Sequence, residues 1–233
     1  MRTFKYTLLV LLVSVVTFSC SNDDDDNLLA SAYTNCKTTE YLQANRFGIF
    51  SMSLELFEKA GYIDLLDQKG VTVFMPTNYN IKNYMARKEA QLQHDSGNEN
   101  LKYTFDDLVN DIPLFKDSLL MYVVDREINR SDLEKVKGEA VIEKSKLGAD
   151  MQIKLKQTKL YTEFVPNSVN KYLYYTLVIN GLDDPNVDPN SVPVEDRDRT
   201  NYCQTSGLIT TNGILHVMRD EHVLFYNTLP TSY

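Results

Sequence analysis

Three histidines, three cysteines and many serines and aspartates are the side chains with which this 233-residue chain could do chemistry. A nucleophile needs a base within hydrogen-bond reach and a third group to orient that base. No GxSxG elbow, HExxH helix, CxxC pair or glycine-rich phosphate loop is present to supply such a set. His216 lies in the apolar run GILHVM and reads as a core histidine bonded to backbone, the alternative being a ligand or catalytic role. His94 and His222 stand alone in polar contexts, without the neighbouring donors a metal needs. The expectation is a protein with no catalytic residue, no metal site and no cofactor, hence not an enzyme.

The polar residues that break apolar runs have structural explanations. In VTVFMPTN, Val71–Met75 reads as a strand buried on both faces. Pro76 cannot donate to a sheet ladder and ends it, and Thr77 or Asn78 can cap the helix that follows. Asn212-Gly213 is a strong hairpin signal between two apolar stretches.

The remaining elements position these segments. Phe47 to Gln68 carries apolar residues at helical spacing and predicts a helix broken near Gly61. Ile81, Tyr84 and Met85 continue a helix after the strand. His94 to Asn100 reads as a loop, Thr104 with Asp107 as a capping arrangement, and Pro113 as the first turn of a short helix. MQIKLK alternates apolar and polar residues as a half-wet strand does, and YLYYTLVI is a second strand. The segment DDPNVDPNSVPVEDRDR must be a surface excursion. Helices early and strands late in one core indicate an α+β fold with a single domain over 36–233 and additions near 86–112 and 183–200. On the second strand, Tyr172, Tyr174 and Thr176 share one face, and Leu173, Tyr175 and Leu177 the other. Tyr172 and Tyr174 are therefore candidates for a binding surface, on which rings could stack on a sugar or dock a protein; the alternative is that they complete the core.

Composition narrows the partners. With 24 basic and 32 acidic residues the net charge is −8, which argues against a nucleic-acid partner. The first 19 residues, two cations followed by an apolar stretch, have the layout of a secretory signal, too short for a stable spanning helix. Their approach to Cys20 resembles the lipobox of bacterial lipoproteins, in which cleavage precedes the cysteine and its sulfur is acylated; an ordinary secreted protein is the alternative. Residues 20–35 then read as a tether, solvated by the run Asp23–Asp26. That run resembles the export signal of Bacteroidota surface lipoproteins. A lipid-anchored protein of the outer membrane, facing the cell exterior, is expected, with a periplasm-facing anchor as the alternative. Cys36 and Cys203 remain, and in an oxidising compartment they could form a disulfide or stay as two buried thiols.

Thr72, Val73, Phe74, Pro76, Thr77 and Asn78, together with Asn212, Gly213, His216 and Val217, resemble the two signature boxes of the fasciclin-like domain family. LLMYVV and NRSDL resemble its central elements. The resemblance spans roughly residues 47 to 226. It implies helices packed on a twisted two-layer β-sheet wedge, structural roles for the boxes, and an adhesion or interaction module that engages a protein partner at the cell surface. A glycan-binding accessory protein of an outer-membrane nutrient-uptake system is the alternative. Two departures stand out. Met121 and Tyr122 replace the family's tyrosine-histidine pair, so a role associated with that pair does not carry over. HVMRDEHVL is about two residues longer than the usual ending, which predicts a bulge or longer turn before Val223.

Overall fold

The computed structural model describes residues 32–157 and 171–227. The apolar leader, Cys20 and Asp23–Asp26 lie outside the described residues.

In the described part, β-branched and aromatic runs form one seven-stranded sheet. Its strands are β1 (Val71–Met75), β2 (Val123–Val124), β3 (Ala140–Lys144), β4 (Asp150–Gln157), β5 (Lys171–Leu177), β6 (Arg199–Ile209) and β7 (Gly213–Met218). The order is β2-β1-β7-β6-β5-β4-β3. Neighbours are antiparallel except β1 and β7, which run parallel with Val71 opposite Gly213 and Met75 opposite Val217. The two edges approach each other, since Val124 bridges to Ser145 and the Lys146 amide donates to the Val123 carbonyl. The result is a wedge close to a barrel, consistent with the expected α+β class. Its interior holds Phe74 stacked on Tyr175, with ring centroids 3.6 Å apart.

Helices cover the wedge: α1 (Thr38–Gln43), α2 (Ser51–Lys59), α3 (Asn78–Ser96), α4 (Phe105–Asn110), α5 (Ile112–Phe115) and α6 (Arg130–Leu133). Helix α2 stops at Lys59, Gly61 follows in a left-handed conformation, and a 3-10 turn covers Ile63–Asp67, so the expected break falls where glycine permits it. All five residues of β1 are buried, and Thr77 takes the N-cap position of α3.

Several boundaries differ from the sequence reading. His94 to Ser96 belong to α3, which ends at Gly97 in the left-handed conformation that closes helices. The region 86–112 buries Tyr103, Leu108 and Ile112, so part of it builds the core. The acidic excursion ends before Arg199, where β6 begins. Its base is pinned by a reciprocal pair: the Asp183 amide donates to the Asp198 carboxylate and the Asp198 amide to the Asp183 carboxylate, each at 3.0 Å. The domain also starts earlier than residue 36. Ile209 donates to the Ala32 carbonyl and accepts from the Thr34 amide, placing Tyr33 as a short parallel strand beside β6.

The disulfide reading is corrected. Cys36 and Cys203 are both buried free thiols. Cys36 lies beside the far end of β6, its carbonyl accepting from the Thr211 amide, whereas Cys203 is paired with Met218 at the other end of the β6–β7 ladder. The six steps from residue 203 to residue 209 span about 20 Å of strand, and a bridge needs Cα atoms within roughly 7 Å. Burial also pushes the Cys203 thiol well above its usual range. In a Cys20→Ser variant, thiol titration is expected to find two free thiols after denaturation, with Cys203 unreactive in the folded protein. Loss of two hydrogens in a Cys36–Cys203 peptide pair would show the opposite.

Candidate interaction surface

The two signature segments are close in space and bonded together. Asn212, at the β6–β7 turn, accepts from the Thr38 amide at 2.9 Å and donates to the Leu66 and Gln68 carbonyls. One side chain thereby fastens α1 and the 3-10 turn before β1 to the hairpin. At the other end of β1, the Thr77 amide donates to Asn80 Oδ1 at 2.8 Å, and the Thr77 hydroxyl donates to Asp220. Asn78 has a different role from the one expected: its Oδ1 accepts from the Met52 amide, in the first turn of α2, and its amide group donates to the Gly48 carbonyl and Ser51 hydroxyl. The Ser53 hydroxyl donates to the Pro76 carbonyl at 2.7 Å. The polar stop after β1 is thus a junction whose donors and acceptors are used by backbone and neighbouring helices.

His216 is fully buried on β7 between Phe74 and the chain before α6. The Gly207 amide donates to its Nδ1 at 3.0 Å, so the neutral ring carries its hydrogen on Nε2 and donates to the Ile128 carbonyl at 3.1 Å. Desolvation lowers its pKa to about 4. It is the core histidine the sequence implies.

His222 differs from the sequence reading. It is fully buried, with its pKa lowered to about 3 by desolvation. Asn201 Nδ2 donates to its Nδ1 at 3.2 Å, and Nε2 donates to the Tyr122 hydroxyl at 2.7 Å, which also accepts from the Phe225 amide at 2.7 Å. The longer ending after β7 forms the turn that delivers this ring: the His222 amide bonds back to Arg219, and Asn80 and Asn83 of α3 donate to the His222 carbonyl. Beyond it Phe225 and Tyr226 hold left-handed backbone angles, and the Tyr226 hydroxyl donates to the Tyr175 carbonyl. Tyr122, at the position where the family has histidine, is a core hydrogen-bond centre. His94 is exposed, with Asp95 3.1 Å away. Among the described residues no cluster of histidine, cysteine, aspartate or glutamate could hold a metal.

The tyrosines of β5 divide as their alternation requires. Tyr175 points inward and donates to the Met121 carbonyl, while Tyr172 and Tyr174 are half-buried on the outward face. Register places Tyr174 opposite Tyr202 of β6 and opposite Lys154 of β4, with Lys156 opposite Tyr172. Ring centroids of Tyr172 and Tyr202 are 4.9 Å apart, and those of Tyr174 and Tyr202 are 5.6 Å apart. Lys156 Nζ lies 5.6 Å from the Tyr174 ring, and the Arg219 guanidinium 4.6 Å from that of Tyr202. Sequence reasoning missed Tyr202 because the residues between the acidic excursion and Ser206 were assigned to no element, and it passed over Lys154, Lys156 and Arg219 because their place beside the tyrosines depends on strand pairing. The alternation Tyr202, Gln204, Ser206 was the available signal.

The buried histidines and the motif residues are thus committed to internal bonds, and the outward face of β5 and β6 carries a row of half-buried tyrosines. The chain belongs to the Fasciclin domain family, whose sequence profile matches residues 48–185, more than half of its length. Fasciclin domains are non-enzymatic and generally serve adhesion or interaction. The profile match stops short of the second signature box at Asn212. Comparison with solved structures finds a pair of such domains from the insect cell adhesion molecule fasciclin I, at 12% identity and a TM-score of 0.44. The alignment covers 77% of this chain and 46% of that one, so the chain spans less than half of that structure's length. Comparison with curated sequences gave no match.

Proposed function

We propose that this protein is a lipid-anchored interaction module of the outer membrane, displayed to the cell exterior, which meets its partner through the outward face of β4, β5 and β6. The observation that carries the reading is the row of three half-buried tyrosines with flanking cations on that face. Tyrosine and arginine are enriched where protein surfaces associate, because they offer large rigid contact area with a polar edge. Cys20, following an apolar leader and preceding four aspartates, supports acylation and surface display. A protein partner is the reading that family membership favours. A glycan is the second reading, favoured by the arrangement of the rings as a row across adjacent strands.

A benzophenone side chain replacing Tyr174, photolysed on intact cells, is expected to capture a partner: a discrete band for a protein, a smear for a polysaccharide. The same probe replacing Tyr79, which is 53% exposed on α3, should capture none. Equal yields at the two positions would remove the face from consideration. In parallel, labelled palmitate should enter the protein and be lost in Cys20→Ser, and external protease should digest it on whole cells; protection from protease would contradict surface display.

A further inference from the structure

The tyrosine face carries a second feature that a purely aromatic platform would not need. Lys154 and Lys156 are exposed, on a strand whose outward positions lie directly across from Tyr174 and Tyr172. The cations nearest to them on the sheet strands and the turns that follow are paired: Lys171 with Glu139, Lys144 with Asp150, Lys146 with Asp125, and Arg219 with Glu221. Lys154 and Lys156 have no carboxylate partner among the described residues, and Lys156 instead hangs over a tyrosine ring. Lys156 Nζ lies 5.6 Å from the Tyr174 ring, and Lys154, two residues earlier, shares the outward face of β4 with it.

We infer that this face takes an anionic polysaccharide built of carboxylate-bearing sugars, the tyrosine rings stacking on sugar faces while Lys154 and Lys156 pair with the carboxylates. The inference rests on the glycan reading above and specifies its chemistry. A neutral glycan would use the rings and leave the lysines idle. An acidic peptide would use the lysines but has no flat apolar face to match three rings in a row. A linear polyuronate presents both groups at every residue, and the outward face of β4, β5 and β6 offers rings and ammonium groups side by side to receive them. Lysine suits this task because its ammonium is a compact point charge with three donors, adaptable to a flexible carboxylate. The protein's net charge of −8 opposes a polyanion at long range, so binding depends on close contact at this face.

The test is affinity electrophoresis of the full chain in gels containing polygalacturonate, its fully methyl-esterified form, or poly(aspartate). Polygalacturonate is expected to retard the protein, and esterification, which caps each carboxylate on the same backbone, to lower apparent affinity about tenfold, as two exposed ion pairs suggest. The double variant Lys154→Gln/Lys156→Gln should lose the same tenfold and no longer distinguish the two polymers. Tyr174→Ala should weaken both polymers, with thermal unfolding of the variants recorded to verify folding. Retardation equal in the acidic and esterified gels would overturn the requirement for carboxylates while leaving a glycan ligand standing. Retardation by neither would overturn the glycan reading itself, and retardation by poly(aspartate) as strong as by polygalacturonate would show charge attraction alone.

Discussion

Gly213→Ala is expected to destabilise the protein by about 3 kcal/mol, lowering the melting temperature by about 6 to 12 °C for a domain of this size. The cause is a single contact. A Cβ at position 213 would sit 2.2 Å from the Val71 carbonyl oxygen and 3.2 Å from its carbonyl carbon. Both atoms are backbone, in the first residue of β1, and the parallel pairing of Val71 with Gly213 continues through Met75 with Val217. Relief therefore requires moving one central strand relative to another, against the all-buried row of β1. Backbone entropy works in the opposite direction. Gly213 has no positive φ, so alanine is conformationally acceptable there and would by itself stabilise by roughly 0.4–1 kcal/mol through the unfolded chain. The two effects are separable with Gly61→Ala, where φ is +78° and nothing lies within 4 Å of the added methyl. That variant should cost only about 1 kcal/mol, from strain. Chemical denaturation of the three proteins decides the point. A Gly213→Ala variant as stable as the parent would mean that the β1–β7 approach is looser than its geometry indicates.

The same contact explains what was legible in the sequence. Asn-Gly announces a hairpin, and a hairpin forms, but the glycine is required by a strand that lies far earlier in the chain. Local pattern reveals a turn and cannot reveal a close approach. Period-two alternation correctly separated Tyr172 and Tyr174 from Tyr175, because the side of a strand a residue faces follows from backbone geometry alone. It failed for Tyr202, since a stretch opening with Arg-Thr-Asn after an aspartate- and proline-rich loop carries little β signal. The pairing partner Tyr174 makes β6 a strand there, and partners are tertiary information. Asn78 illustrates a related limit. Its residue type fits a cap, and it does cap a helix, but α2 rather than the α3 it begins. The two cysteines were placed in a plausible compartment, yet nothing in their spacing records that β6 carries residue 203 away from the end where Cys36 lies.

His222 was the largest misreading, and its burial has a consequence that can be measured. Both His216 and His222 are fully buried and neutral, with pKa values lowered by desolvation to about 4 and about 3. In the unfolded chain each returns to about 6.5. Between those limits the unfolded state binds more protons than the folded state, so stability rises with pH and falls as the solution is acidified below 6.5. At pH 5 each ring is about 1.5 units below its unfolded pKa and still neutral in the fold, which costs about 2 kcal/mol per histidine, or about 4 kcal/mol for the pair. The hydrogen bonds indicate why the rings resist protonation. His216 Nδ1 accepts from the Gly207 amide and His222 Nδ1 from Asn201, so an added proton would set donor against donor. The shifted carboxylates do not confound this window. Glu89, Asp107 and Glu221 have pKa values lowered by hydrogen bonds to Tyr103, Thr104 and Arg219 respectively, and their contributions are lost as the pH falls from about 5 through the ordinary carboxylate range toward the lowered values. Urea unfolding midpoints measured from pH 7.5 to pH 5 should therefore fall with a slope approaching two protons at the acid end. His222→Gln, which keeps an amide capable of donating to the Tyr122 hydroxyl, should be less stable than the parent at pH 7.5 yet show about half the pH dependence. A stability flat between pH 7.5 and pH 5 would mean that these rings reach solvent and would remove the buried Tyr122–His222 pair as the clasp between the centre of the chain and the turn after β7.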